Sequence, residues 1–241
     1  MLRAEIAKGL DHDPNFHWRG EAVTRIENLS DIAFALGLSM LVSGSGTPQT
    51  FADLKGFLFS ILPVAGGFLT LLGIWHGHFT FFRRYGVADN KVIFLNACLI
   101  FVVLYMAYPL RFAFDSLLAF ILMQLGDDSM MNKLGVSKFY MSGIIIAYFG
   151  IAYAACHGLL AAMYAHAFKK RELLSLSLYE AAITKREVNA RTALSLYALI
   201  IAAIAYFTPI HGIAGCLFFF TSALYAIVKR LTPAPPAVKV N

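Results

Sequence analysis

Residues 92–114 read Val-Ile-Phe-Leu-Asn-Ala-Cys-Leu-Ile-Phe-Val-Val-Leu-Tyr-Met-Ala-Tyr-Pro-Leu-Arg-Phe-Ala-Phe, a run of 23 in which only Asn96 and Arg111 are strongly polar. About 20 residues at roughly 1.5 Å each cover the hydrocarbon core of a bilayer, so this stretch suffices for a membrane-spanning helix. Five further apolar blocks flank it, at Leu29–Ser43, Leu54–Phe82, Met141–Phe168, Thr192–Phe207 and Ile210–Val228. The 241 residues are 59% hydrophobic and 14% charged, whereas soluble domains carry about a quarter charged residues. The fold expected is an all-α integral membrane protein of six transmembrane helices per subunit. Residues 1–24 precede the helical domain, residues 25–231 form it, and the Pro-rich residues 232–241 read as a disordered tail.

Lys and Arg set the orientation, because cytoplasmic loops near helix ends retain positive charge. With six spans both termini share a side. Sixteen of the 20 basic residues fall there, among them Arg83, Arg84, Lys91, Lys169, Lys170, Arg171, Lys229 and Arg230. Lys55, Arg111, Lys133 and Lys138 fall on the other, so both termini are expected to be cytoplasmic. The formal charge of +6 is mostly this topological signal, and no loop is large enough to form a nucleic-acid-binding domain. The first fifteen residues contain Arg3, Glu5, Lys8, Asp11 and Asp13 without the apolar core of a cleavable signal. Residues 115–138 mix an apolar run with Asp127, Asp128 and Lys133, which suits a helix extension or an interfacial segment better than a seventh crossing. Residues 169–191 are expected to extend the fourth and fifth helices into the cytosol, and Thr208-Pro209 leaves room only for a tight, antiparallel hairpin between the fifth and sixth.

Polar side chains inside spans are functional candidates, since they are costly there unless paired or hydrated. They are Arg25 and Asp31 at the start of the first helix, His76 and His78 in the second, Asn96 in the third, and His157 and His166 in the fourth. His76 and His78 face apart on a helix, as do His157 and His166, so neither pair holds one metal or haem. Cys98, Cys156 and Cys216 lie in apolar blocks without a ligand-spaced partner and read as packing residues. Ser30 and Asp31 can be read equally as helix caps. At about 100° per residue, Ile32, Leu36, Ser39, Met40 and Ser43 fall on one side of the first helix, while Asp31 points well away from Leu36. That face has two readings: small residues for close helix packing, or an apolar constriction at Leu36 and Met40 beside hydroxyl oxygens for a partly dehydrated cation.

The stretch Arg25-Ile-Glu-Asn-Leu-Ser-Asp-Ile-Ala-Phe-Ala-Leu36-Gly-Leu-Ser39 resembles the first-helix signature of the transmembrane protein 175 family of lysosomal and bacterial potassium channels, an Arg followed by Phe-Ser-Asp and an apolar helix. Trp75-His76-Gly77-His78 resembles the family's second-helix Trp followed three residues later by His. Leu95-Asn96 and Tyr108-Pro109 resemble its third-helix Leu-Asn and later Leu-Pro-Phe. The likeness covers the first half of the chain; the second half matches in hydropathy and helix count. It implies a cation channel lined by the first helix, with the constriction at Leu36 and the hydroxyl layer at Ser39. Arg25, Ser30, Asp31, His78 and Asn96 would form a polar network near the cytoplasmic side that holds the pore helix in place. Leu29 replaces the family's Phe, and Ser39 replaces a Thr that contributes to selectivity, so modest potassium preference is expected.

The signature occurs once, so one chain supplies one pore helix and a central pore requires symmetric assembly. The family's single-repeat bacterial members assemble as tetramers, which implies a homotetramer in the inner membrane of a prokaryote. Its partners would be the lipid bilayer and potassium ions, with no nucleic acid, no cofactor and no enzymatic activity. A secondary, proton-coupled transporter using Asp31, His78 and His157 is the competing reading. Neither an inverted repeat nor paired broken helices favour it. A haem protein would rest only on the seven histidines.

Overall fold

The computed structural model describes residues 13, 15–20, 22–43, 48–135 and 139–234. Nine α-helices follow one another among them: α1 (Arg25–Ser43), α2 (Phe51–Phe59), α3 (Ile61–Tyr85), α4 (Asn90–Gln124), α5 (Ser129–Lys133), α6 (Phe139–Lys169), α7 (Leu178–Phe207), α8 (His211–Ala214) and α9 (Thr221–Leu231). Five of these, α1, α3, α4, α6 and α7, are long and apolar enough to cross a bilayer. The residues expected to form the disordered tail fall outside the described ones from 235 onward, as do residues 1–12 of the N-terminal segment.

Two apolar blocks are less regular than their sequence suggests. Leu54–Phe82 was expected as one helix. It breaks at Ser60, whose ψ of 1° and hydroxyl bond back to the Phe57 carbonyl (2.7 Å) end α2 before α3 begins. Ile210–Val228 folds as α8, a 3-10 turn at Gly215–Phe220 and α9. The turn follows from close approach: a Cβ at Gly215 would lie 3.0 Å from Ile146, and Phe218 packs edge-on against Phe149 at 4.7 Å. Residues 115–124 are a helix extension, since α4 runs unbroken to Gln124 through Pro109. Of residues 169–191, only the second half lengthens a helix: α6 stops at Lys169 and α7 starts at Leu178.

Small residues let the helices approach. A Cβ at Gly150 of α6 would lie 2.9 Å from the Ala202 Cβ and 3.0 Å from the Ala198 carbonyl of α7, and the Ser195 hydroxyl donates to the Ala154 carbonyl (2.8 Å). Close backbone contact and interhelical hydroxyl bonds are what bind helices when lipid tails are as apolar as leucine. At the end carrying Arg83 and Arg84 the N-terminal segment folds under the bundle. Phe16 is buried against Tyr85, and Arg19 pairs with Glu180 (2.8 Å), which also closes the capping box of α7 with Ser177. Gly86 ends α3 with φ of 60°, where a side chain would be strained and a Cβ would meet the Arg19 carbonyl at 2.9 Å.

Asp89 ties the start of α4 to the end of α6. One carboxylate oxygen caps α4 through the Val92 amide (3.0 Å), and the other accepts from His166 (2.7 Å) and Lys170 (2.6 Å) at the end of α6. Partial desolvation works to raise its pKa. The bonds from His166, Lys170 and Val92 outweigh it and hold the carboxyl well below the usual range. A carboxylate with a depressed folded-state pKa contributes stability that is complete above its unfolded pKa of about 3.9 and is lost as pH falls below it. Wild-type protein is therefore expected to lose more thermal stability between pH 5 and pH 3 than Asp89→Asn, as read by tryptophan fluorescence melting in detergent. Parallel losses in the two proteins would refute this.

Candidate functional site

α1 has two faces with the same helical spacing and opposite fates. Ser30, Phe34, Gly37 and Leu41 are buried against α3 and α4, where Leu41 lies over Gly67 and Gly37 faces Leu71 and Val103. Ile32, Leu36, Ser39 and Ser43 lie on the other side and are exposed, Ile32 at 66% and Leu36 at 53% of their full area. Met40 is half-buried and so sits at the edge of this face, not on it. With 19 residues, α1 is about as long as the hydrocarbon core is thick.

The buried face is pinned at three levels. Nearest the N-terminus, Thr24 and Glu27 exchange the reciprocal bonds of a capping box, with Thr24 N–H donating to Glu27 (3.1 Å) and Glu27 N–H to Thr24 Oγ1 (3.3 Å). The cap is thus Thr24, and neither Ser30 nor Asp31 serves as one. The other Glu27 carboxylate oxygen pairs with Arg83 of α3 at 2.9 Å, both side chains nearly buried. One turn on, Ser30 donates to the Ile26 carbonyl (2.8 Å) and accepts from Asn96 Nδ2 (2.8 Å), while Asn96 Oδ1 meets His78 Nε2 at 2.8 Å. At the far end, Arg111 of α4 donates to the Leu41 carbonyl (2.7 Å) and pairs with Asp115 (2.9 Å). A cation there complements the negative end of the helix dipole.

Of the five residues expected to form one network, the structure brings three into a continuous chain, Ser30, Asn96 and His78. Asp31 is exposed and accepts from the indole of Trp75 at 2.8 Å, beside the chain and outside it. Arg25 is exposed, and no described hydrogen bond or ion pair engages it. The arginine that does bond to α1 near its start is Arg83 of α3, which reaches Glu27. Sequence reading missed Glu27, Arg83 and Arg111. Glu27 stands three residues after Thr24, the spacing of a capping box, and that was the available signal; the ion pairs cross between helices and leave no local trace.

No group of His, Cys, Asp or Glu that could hold a metal ion occurs among the described residues. Among the histidines, His78 lies in the chain above and His166 on Asp89, while His76 and His157 both line a separate cavity.

Residues 25–106, which span α1 to the middle of α4 and contain the Ser30, Asn96 and His78 chain, match the family model described as the endosomal/lysosomal potassium channel TMEM175. A protein of Marivirga tractuosa described as a potassium channel is 30% identical over 238 residues, covering 95% of this chain and 94% of that one. The chain belongs to the TMEM175 family. A crystal structure of a variant of the potassium channel MtTMEM175, in complex with a nanobody fusion protein, superposes with a TM-score of 0.78 at 30% identity, over 91% of this chain and 97% of that one. Similarity therefore extends beyond the α1 signature into the second half, where sequence reading saw only hydropathy and helix count. As a TMEM175-family protein the chain is a membrane protein of ion transport and not an enzyme.

Proposed function

We propose that the chain is one subunit of a homotetrameric, potassium-permeable channel in which four α1 helices surround the pore. It lies in the inner membrane of a prokaryote with both termini cytoplasmic, residues 211–231 serving as the sixth crossing. One observation carries the reading: α1 leaves the stripe Ile32, Leu36, Ser39, Ser43 uncovered while its opposite stripe is fixed by polar bonds at three heights. A stripe of bulky apolar residues followed by hydroxyls suits an axis where leucines narrow the passage and Ser39 and Ser43 face a cation that has shed part of its water. The Ser30, Asn96 and His78 chain and the Glu27–Arg83 pair are scaffold in this reading, holding the backbone of the pore helix without touching the ion. Symmetric assembly about an axis supplies what one chain lacks.

Purified protein in liposomes loaded with potassium is expected to pass a current that varies smoothly with voltage and does not saturate as a carrier would. It should conduct with sodium in place of potassium at only modestly lower flux, because Ser39 lacks the methyl of the family's Thr. Flux no greater than that of empty liposomes across several voltages, or saturable counterflow, would overturn the proposal.

A further inference from the structure

A cavity of about 540 Å³ lies between α3, α4, α6, α7 and the segment 215–225, separate from the exposed stripe of α1. Its walls are largely apolar, with Ile74, Phe114, Phe149, Leu194 and Phe218 prominent. Six buried side-chain polar atoms lack a hydrogen-bond partner among the described residues, and four of them belong to residues lining this cavity: Ser116 Oγ, Ser142 Oγ, His157 Nδ1 and Arg191 Nε. All four residues are more than nine-tenths buried. Buried polar groups are nearly always satisfied, so the clustering of four orphans on residues around one cavity sets it apart from the rest of the bundle.

The charge at one end specifies the sign of an occupant. Glu187 Oε1 accepts from Lys229 (2.8 Å), and Oε2 accepts from the Tyr225 hydroxyl (2.7 Å) and lies 3.5 Å from Arg191 Nε. Two cations thus share one carboxylate, and the guanidinium is wedged so closely against Gly77 that a Cβ there would overlap it. A buried charge requires a counter-charge. The other dimension comes from α6, along which Ser142 and His157 are 15 residues, or about 22 Å, apart. The mouth opens beside Leu69 and Phe219, each 65% exposed, and Gly73, around which a Cβ would find nothing within 4 Å. Leu69 and Gly73 belong to α3, one of the helices long and apolar enough to cross a bilayer.

We infer that this cavity binds a single-chain amphipathic anion, an alkanoate whose carboxylate lies at the end lined by Arg191 and His157 and whose chain runs along α6 toward Ser142. The volume suits one drug-sized ligand and hence one alkyl chain rather than a two-tailed lipid.

The test uses the full-length protein in phosphatidylcholine vesicles and a diazirine-bearing palmitate, with the matching diazirine hexadecanol as the uncharged probe. After photolysis, peptides from 142–157 and 215–225 are expected to carry the label. The acid should label about tenfold more strongly than the alcohol, and unlabelled palmitate should compete. Gly73→Phe should fill the mouth and cut acid labelling about tenfold. Leu69→Trp serves the same purpose if the first variant does not purify as a monodisperse species. Equal labelling by acid and alcohol would remove the anion site. Labelling untouched by either mouth variant, or absent from these peptides because water or a neighbouring subunit fills the space, would overturn the inference altogether.

Discussion

Leu36→Asn is expected to raise potassium flux through the reconstituted protein about tenfold, the gain from lowering a barrier by about 1.4 kcal/mol. Four leucines around one axis would shed water from the narrowest ring, and an ion crossing a dry ring loses hydration that nothing replaces. Asn supplies an amide oxygen of similar size at the same depth. Leu36→Ala should raise flux as well, by widening the ring, and Leu36→Met should leave it near wild type. Because Leu36 is 53% exposed, these variants should melt within about 0.5 kcal/mol of wild type, so flux reads the pore and not the fold. Unchanged flux in both Asn and Ala variants would move the constriction away from Leu36.

Glu27→Ala is expected to have the largest stability effect among changes around α1. It leaves the Arg83 guanidinium, 12% exposed, without its carboxylate, and it removes the capping box at the start of the helix. Breaking a buried pair by deleting one partner costs roughly 3–5 kcal/mol, and losing a cap costs about 1 kcal/mol. Glu27→Gln separates the two, since glutamine still completes a capping box while carrying no charge. The expected order of thermal stability in detergent is wild type, then Glu27→Gln, then Glu27→Ala. If Glu27→Gln melts with wild type, the pair with Arg83 contributes nothing; if it melts with Glu27→Ala, the cap contributes nothing. Loss of flux in parallel with stability would tie the anchoring of α1 to conduction.

The membrane-spanning character of the chain and its helical class were legible in the sequence, as was the grouping of Ile32, Leu36, Ser39 and Ser43 on one side of α1. Bilayer thickness and helical periodicity are local rules: 23 residues from Val92 to Phe114 either suffice or do not, and Leu36 stands opposite Ser30 and Phe34 whatever surrounds them. The resemblance carried by Arg25, Ser30, Asp31 and Asn96 pointed to the family that similarity over 238 residues shows. What the residues alone could not fix is which polar groups meet. Arg25 lies nearest Asp31 in sequence, yet Arg83 supplies the partner of Glu27, because the approach of α1 and α3 is set by packing such as Leu41 over Gly67. Likewise nothing in 142–157 or 187–191 announces that His157 and Arg191 share a cavity. Such partners depend on distances between helices, which close packing of side chains decides and one-dimensional spacing does not contain.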